Sequence, residues 1–228
     1  KLLNQANLLK YVAKYRKRKD KETYRTLRDA AIEIEATAER VKRLEGERIE
    51  EIRLQLMNLE GRGAEIYWRT VSHVLRADVE WLGRITKGAQ DPVNSALNYG
   101  YGILYSQIEY ALIRAGLDPY AGFVHTDRAG RVSLVYDLVE EFRQTVVDRT
   151  VFGLLNKGVE FKVGDDGLLV EKTRKLLAEK VLERLNEGEE RYEGKRHKLR
   201  TIIQSQARHI ATFVRGERPA YKPFVARW

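Results

Sequence analysis

The sequence predicts a mainly α protein: one multi-helix domain over residues 1–228 with at most a small β-hairpin. Three observations predict it. Apolar residues recur at intervals of three and four through most of the chain. Only 4 prolines interrupt the 228 residues, two of them within the last ten. A single stretch combines strand-like residues with hairpin turn chemistry.

The elements follow in order. The opening "KLLNQANLLKYVAKYRK" reads as the inside of an element, in a chain that has lost an upstream part. "LRDAAIEIEATAERVKRLEGERIEEIRLQLMNLE" (27–60) is rich in Ala, Leu, Glu and Arg, all strong helix formers. "VNSALNYGYGILYSQIEYALIRAG" (93–116) follows Asp91-Pro92, an opening that suits a helix N-terminus, and closes on Gly116, a suitable C-terminal stop. "SLVYDLVEEFRQTVVDRTVFGLLNKG" (133–158) predicts a third long helix with Ser133 as its N-cap. "VEFKVGDDGLLV" (159–170) is the hairpin-like stretch. "EKTRKLLAEKVLERLNEG" (171–188) and "HKLRTIIQSQARHIATFVRG" (197–216) predict two more helices. No repeat, low-complexity tract or linker separates them.

Composition narrows the function. Hydrophobic residues make up 43% of the chain, enough for a core. The net charge of +9 points to a polyanionic partner, most simply nucleic acid. A basic membrane-surface protein is the rival, but no segment has the apolar length of a membrane span. The absence of cysteine excludes disulfides and thiolate metal sites and fits a reducing cytoplasm. The charge is clustered. Nine basic residues lie between Lys10 and Arg28, including Lys17, Arg18 and Lys19, against Asp20 and Glu22. Ten lie between Arg191 and Trp228, against Glu193 and Glu217. One such run is commonly a solvated helix face; two in a basic chain favour a nucleic-acid surface. Tyr11, Tyr15 and Tyr24 lie among the first set and could stack on bases, although tyrosines at helical spacing more often face a core.

Candidate chemistry centres on "GFVHTDRAGRVSLVYDLVEEFR" (122–143). Asp137 lies one helical turn from Glu140 and from Glu141, so the carboxylates share a face or nearly do. Such pairs are commonly solvated or salt-bridged, and a lone loop histidine such as His125 is commonly just hydrogen-bonded. Imidazole with carboxylates would suit Mn²⁺, Mg²⁺ or Zn²⁺, and the predominance of oxygen donors favours Mn²⁺ or Mg²⁺. Glu60, in "LMNLEGRGAEIYW", reads by itself as a surface charge.

Four stretches together carry a family resemblance: "LEGRGAEIYW", "DPVNSALNYGYGILY", "GLDPYAGFVHTDRAGRVSLVYDLVEEFR" and "IIQSQARHIATFVRGERPAYKPF". In order and spacing they resemble the helical catalytic domain of the CRISPR-associated adaptation integrase, the first-numbered Cas protein. The resemblance spans almost the whole chain, which makes residues 1–228 a helical catalytic domain without the family's N-terminal β-strand domain.

The resemblance implies a function and a site. The family inserts short DNA segments, spacers, into a CRISPR repeat array through attack of a 3′-hydroxyl on a phosphodiester, a part of antiviral defence. Its metal ligands fall here on Glu60, His125 and Glu140, with Mn²⁺ or Mg²⁺ as the cofactor; Asp137, a neighbour of the metal one turn nearer the loop and shorter in reach, suits a role holding His125 or a metal-bound water. Gly63 and Glu65 depart from the family's more usual Ala and Arg. Arg84, Asn94 and Asn98 are candidates for contacts to DNA or to a metal ligand, with helix capping and core hydrogen bonding equally open for the asparagines. Lys17, Arg18 and Lys19 would hold the DNA backbone. The implied partners are double-stranded and branched DNA and the second-numbered Cas adaptation protein. The full-length family forms homodimers; without the β-strand domain this chain is expected to dimerise weakly or not at all. The alternatives are a helical DNA-binding module without chemistry, and a transposon-borne or repair nuclease for branched DNA with the same fold.

Overall fold

The computed structural model describes residues 1–76, 78–126 and 129–228. The mainly α expectation holds: helices dominate, and a two-stranded antiparallel hairpin is the sheet among the described residues. The chain forms two compact units. The first comprises residues 1–96, 151–170 and Trp228; the second comprises residues 97–150 and 171–227.

In the first unit, α1 (Leu2–Arg16), α2 (Lys21–Lys42) and α3 (Ile49–Val74) pack on one another. Leu8, Leu9, Leu27, Ile34, Tyr67 and Val71 form the centre of that packing. Asp20 caps α2 by accepting the Thr23 N–H at 3.0 Å. The periodic run 27–60 is two helices rather than one, interrupted between Lys42 and Ile49 around Gly46. Periodicity carried across the turn because Leu44 and Ile52, eight residues apart, keep the apolar spacing. The hairpin-like stretch 159–170 shortens to one bridge between Val163 and Leu169 over a turn closed by Gly167 N–H to the Gly164 carbonyl (2.9 Å).

The second unit holds most of α4 (Pro92–Arg114), then α5 (Ser133–Val139), a π-helical turn (Gln144–Asp148), the start of α6 (Arg149–Asn156), α7 (Glu171–Glu187), β1 (Glu189–Tyr192), β2 (Lys195–Lys198) and α8 (Leu199–Val214). Asp91 caps α4 through the Asn94 N–H (2.8 Å), and the far end closes with Leu117 N–H donating to the Leu112 carbonyl (3.1 Å).

Two expectations are corrected here. Ser133 is not the cap of α5: Val132 holds that position, and the Ser133 hydroxyl donates back to the Thr126 carbonyl (3.0 Å). The run 133–158 is not one helix. It breaks at Glu140, continues through the π turn and resumes as α6. The cause is non-local. Glu141, Gln144, Thr145 and Asp148 are all buried, and a uniform α-helix would have to bury the same polar side chains in a different rotation. The Asp148 carboxylate accepts from Tyr101 OH on α4. Extra-residue π turns of this kind collect at functional sites.

The paired strands lie at 189–198 rather than in the hairpin-like stretch. Their turn is Glu193-Gly194, both at positive φ (47° and 86°), the geometry of a two-residue hairpin loop. "EERY" and "KRHK" lack apolar alternation. What fixes β1 is Glu190, which is buried against Arg149 (3.0 Å) and Arg184.

Candidate active site

His125 and Asp137 form the best-defined part of the site. The Asp137 carboxylate accepts three consecutive backbone N–H groups: Phe123 (2.6 Å), Val124 (3.1 Å) and His125 (3.1 Å). It also meets His125 Nδ1 at 2.6 Å. One side chain of α5 therefore fixes both the loop and the ring. With Nδ1 engaged by the carboxylate, Nε2 is the nitrogen turned away, as in histidines that hold metals. Gly122 makes the tight loop possible: a Cβ there would lie 2.4 Å from the His125 carbonyl oxygen and 2.6 Å from Ser133 Cβ.

Glu140 occupies the C-terminal end of α5, and its carboxylate pairs with Arg143 at 3.0 Å. Asp137 and Glu140 thus start one turn apart yet serve different partners. The Arg143 guanidinium lies over Tyr101 (5.0 Å) and Tyr105 (5.6 Å) and donates to Tyr105 OH at 2.6 Å. Burial works against its charge, but Glu140 and then Tyr105, Tyr101 and Asp148 outweigh that effect and hold its pKa above the ordinary value. Tyr105 meets Tyr136 edge-on (5.5 Å), and Tyr136 lies 5.9 Å from the His125 ring, with Arg131 over its face at 5.3 Å. A continuous series of contacts therefore joins His125 to Glu140 through two tyrosines and Arg143. The sequence reading missed Arg143; its signal was the i,i+3 spacing from Glu140 beside a Tyr-rich α4. Asp127 and Arg128, inside the "HTDRAGR" turn, lie outside the described residues.

Glu60 belongs to the first unit, on α3, where Lys1 Nζ approaches it at 2.8 Å. Gly63, one turn on, is buried, and a Cβ there would lie 2.2 Å from Leu2 Cδ2, so the departure from alanine goes with close packing of α1. Glu65 points to solvent. Among the described residues, no group of three or more His, Asp and Glu side chains is arranged to hold a metal ion. The chemistry of the donors nevertheless fits a hard divalent cation. An imidazole nitrogen opposite a carboxylate-bound Nδ1, with carboxylates and no thiolate, suits Mn²⁺ or Mg²⁺.

The remaining candidates separate into two groups. Asn94 is fully buried and braces the 83–85 loop. It accepts from Arg84 Nη1 (2.9 Å) and the Ile85 N–H (3.0 Å), and it donates to the Gly83 carbonyl (2.8 Å) and Asp91 (2.9 Å). Its place is structural, and its effect is to hold the Arg84 guanidinium over Trp68 (5.5 Å). Asn98 lies one turn further along α4, half-buried. Lys17, Arg18 and Lys19 are exposed at the turn between α1 and α2. Nearby, Lys10 pairs with Glu35, and Lys14 donates to the Trp228 carbonyl (2.6 Å). The tyrosines beside them are not core residues: Tyr11 and Tyr24 are half-buried and Tyr15 is 65% exposed, against the usual fate of tyrosines at helical spacing.

Comparison with known proteins gives the lineage. The profile of the family described as CRISPR associated protein Cas1 matches residues 1–187. "CRISPR-associated endonuclease Cas1 1" of Archaeoglobus fulgidus is 38% identical over 240 residues, covering 100% of this chain and 69% of the relative. "CRISPR-associated endonuclease Cas1" of Hyperthermus butylicus is 34% identical over 226 residues, covering 99% and 65%. The chain thus spans about two thirds of the length of the curated relatives it matches. Among solved structures, "Casposase bound to integration product" superposes with a TM-score of 0.75 at 22% identity, covering 97% of this chain and 64% of that one. A CAS1 protein from Thermotoga maritima superposes with a TM-score of 0.71 at 16% identity, covering 94% and 69%. These likenesses extend the same fold to proteins of low identity. The matched residues 1–187 and the similarity over the whole chain place this protein in the Cas1 family.

Proposed function

We propose that the chain is the catalytic part of a divalent-metal-dependent DNA endonuclease and integrase. It would join a DNA 3′-hydroxyl to a phosphodiester of a repeat. The observation that carries this reading is the His125–Asp137 pair: one buried-side carboxylate holds the ring by Nδ1 (2.6 Å) and the loop by three N–H groups. So much fixation of one imidazole ring suits a ligand better than a surface histidine. Family membership supports the reading, as do the curated relatives named endonucleases. The casposase bound to integration product, and a Cas6-RT-Cas1--Cas2 complex that superposes with a TM-score of 0.74 at 19% identity over 98% of this chain and 25% of that one, support DNA as substrate and Cas2 as partner.

His125, Glu140 and Glu60 would hold the cation, Mn²⁺ or Mg²⁺. When bound, it supplies stabilisation of the charge that gathers on the phosphoryl oxygens and orients the attacking oxygen. Asp137 keeps the ring in the ligating tautomer. Arg143 holds the Glu140 carboxylate in place through their 3.0 Å pair. Lys17, Arg18 and Lys19 bind phosphates, and Arg84, braced by Asn94, offers a fixed guanidinium. No protein nucleophile is required.

A second reading has its own observation. Both acidic candidates already pair with cations of the chain, Glu60 with Lys1 and Glu140 with Arg143, as they would in a DNA-holding module without chemistry. Cleavage and strand transfer on branched DNA, run with Mn²⁺, with Mg²⁺ and with EDTA, separates the two. We expect metal-dependent activity that Glu60→Gln, His125→Ala and Glu140→Gln abolish. Asp137→Asn should retain activity with metal affinity weakened about 10–100-fold. DNA binding with no cleavage under any metal would select the second reading. Loss in Asp137→Asn but not in Glu140→Gln would move the ligand by one helical turn.

A further inference from the structure

Glu140 and Glu141 are adjacent, and their carboxylates go to different places. Glu140 meets Arg143. Glu141 is 7% exposed and enclosed by the C-terminal segment. Tyr221 OH donates to its Oε1. The Phe224 N–H (2.6 Å) and Gln206 Nε2 (2.7 Å) donate to its Oε2. The same Gln206 amide donates to the Lys222 carbonyl (3.0 Å), so one side chain of α8 grips both the carboxylate and the segment. Beside it, Phe142 stacks on Phe224 with ring centres 5.3 Å apart. Residues 221–224 are thus bound to the two residues that follow Glu140.

Simple anchoring of a segment does not call for a buried carboxylate. Desolvating one is costly, and an apolar side chain would seat the segment at lower cost. Hydrogen bonds add direction, which apolar packing does not. Direction matters at this point because Glu140 stands where α5 has ended and the π turn has not begun. The local backbone there is closed by short turns, Glu141 N–H to the Leu138 carbonyl (3.2 Å) and Phe142 N–H to the Val139 carbonyl (2.9 Å).

We infer that Glu141, Tyr221 and Gln206 are positioning residues: through them the C-terminal segment sets the direction in which the Glu140 side chain leaves its turn. The inference rests on Glu140 being a metal ligand. Tyr221→Phe in the full chain removes one donor to Glu141 and little volume. It should still melt cooperatively. Amide hydrogen exchange over residues 138–146 should accelerate about tenfold, as loss of one buried hydrogen bond allows, while α2 amides stay unchanged. Calorimetry with Mn²⁺ alone should show affinity weakened about tenfold or more, and kcat for DNA cleavage should fall at unchanged KM. Glu141→Ala, which removes the acceptor of Tyr221, Gln206 and Phe224 together, should move each readout further in the same direction. Unchanged exchange at 138–146 in both variants overturns the inference, and so does uniform acceleration of all helices. If the unmodified protein takes up no Mn²⁺, the metal reading fails and the exchange pattern alone decides the positioning role.

Discussion

Helix α2 and the segment from Ser133 to Asn156 carry the same kind of sequence signal and fold differently. Both are amphipathic, free of proline and more than twenty residues long. Helix α2 runs unbroken for 22 residues. Its buried face is Leu27, Ala30, Ala31, Ile34 and Ala38, with Thr37 returning its hydroxyl to the Glu33 carbonyl of the same helix (3.0 Å). The second segment buries Glu141, Gln144, Thr145 and Asp148, and the partners of Glu141 and Asp148 come from α4, α8 and the C-terminal segment. A helix whose polar groups are satisfied within itself stays regular. One whose polar groups answer to three other elements bends its backbone to reach them, and the bend is where Glu140 sits.

The sharpest way to break the comparison is Asp148→Ala. Asp148 is fully buried, and its removal leaves Tyr101 OH without that acceptor and weakens the electrostatic support of Arg143. We expect a loss of about 3 kcal/mol in urea unfolding, within the range for a broken buried charged interaction. The control on α2 is Glu39→Ala, which removes an exposed pair with Lys42 and should change stability by less than about 0.5 kcal/mol. Equal effects at the two positions would refute a difference in kind.

The same contrast explains what could be read in advance. Helices α4, α7 and α8 were legible because their apolar period lies inside the segment, and for α4 the cap and stop, Asp91 and Gly116, do as well. The break at Glu140 was not, because its causes are Tyr101, Gln206 and Phe224, between 39 and 84 residues away. The hairpin at 189–198 was hidden for a similar reason: its anchor, Glu190, is a buried acid that looks like any surface glutamate until Arg149 and Arg184 are beside it. At the candidate site, His125, Asp137 and a role for Asp137 in holding His125 were legible, and the grip of the same carboxylate on three loop N–H groups was not. Arg143 and Gly122 are not singled out by the sequence, because the partners that give them their roles, Tyr105 for one and the His125 and Ser133 backbone for the other, show only in the fold.

A milder test acts on the regular helix. Asp20→Ala removes the acceptor that caps α2 at Thr23 N–H (3.0 Å), an interaction that also holds the Asp20 pKa below its ordinary value. Loss of an N-cap should lower the melting temperature by about 2–4 °C. Because α2 depends on local signals, the effect should be confined to its first turns. Hydrogen exchange should accelerate near residues 21–24 and leave residues 138–146 unchanged. Acceleration in both places would mean that the two segments are energetically coupled.

The smallest effect concerns protons. His209 on α8 belongs to the polar cluster behind Glu141: its Nδ1 lies 3.1 Å from Gln206 Oε1 and 3.1 Å from Tyr192 OH. Burial lowers its pKa and Arg218 lowers it further, against a smaller opposing pull from Glu193. Tyr192 is pushed up to about 12, first by burial, so it stays a neutral hydroxyl at working pH. The folded protein therefore disfavours the imidazolium, and the unfolded chain takes up this proton first as pH falls past about 6.5. Stability from His209 is whole above that value and declines as pH drops through the interval down to the lowered folded value. His209→Gln removes the titration and keeps a polar side chain. Between about pH 8 and pH 5.5, the melting temperature of the unmodified protein should fall more than that of the variant, by a difference on the order of 1 °C. The difference should be accompanied by faster exchange at residues 138–146 and 221–224, and not in α2, because Gln206 joins that cluster to Glu141 and to the Lys222 carbonyl. A pH response identical in protein and variant would remove His209 from the network and leave Gln206 to act on Glu141 alone.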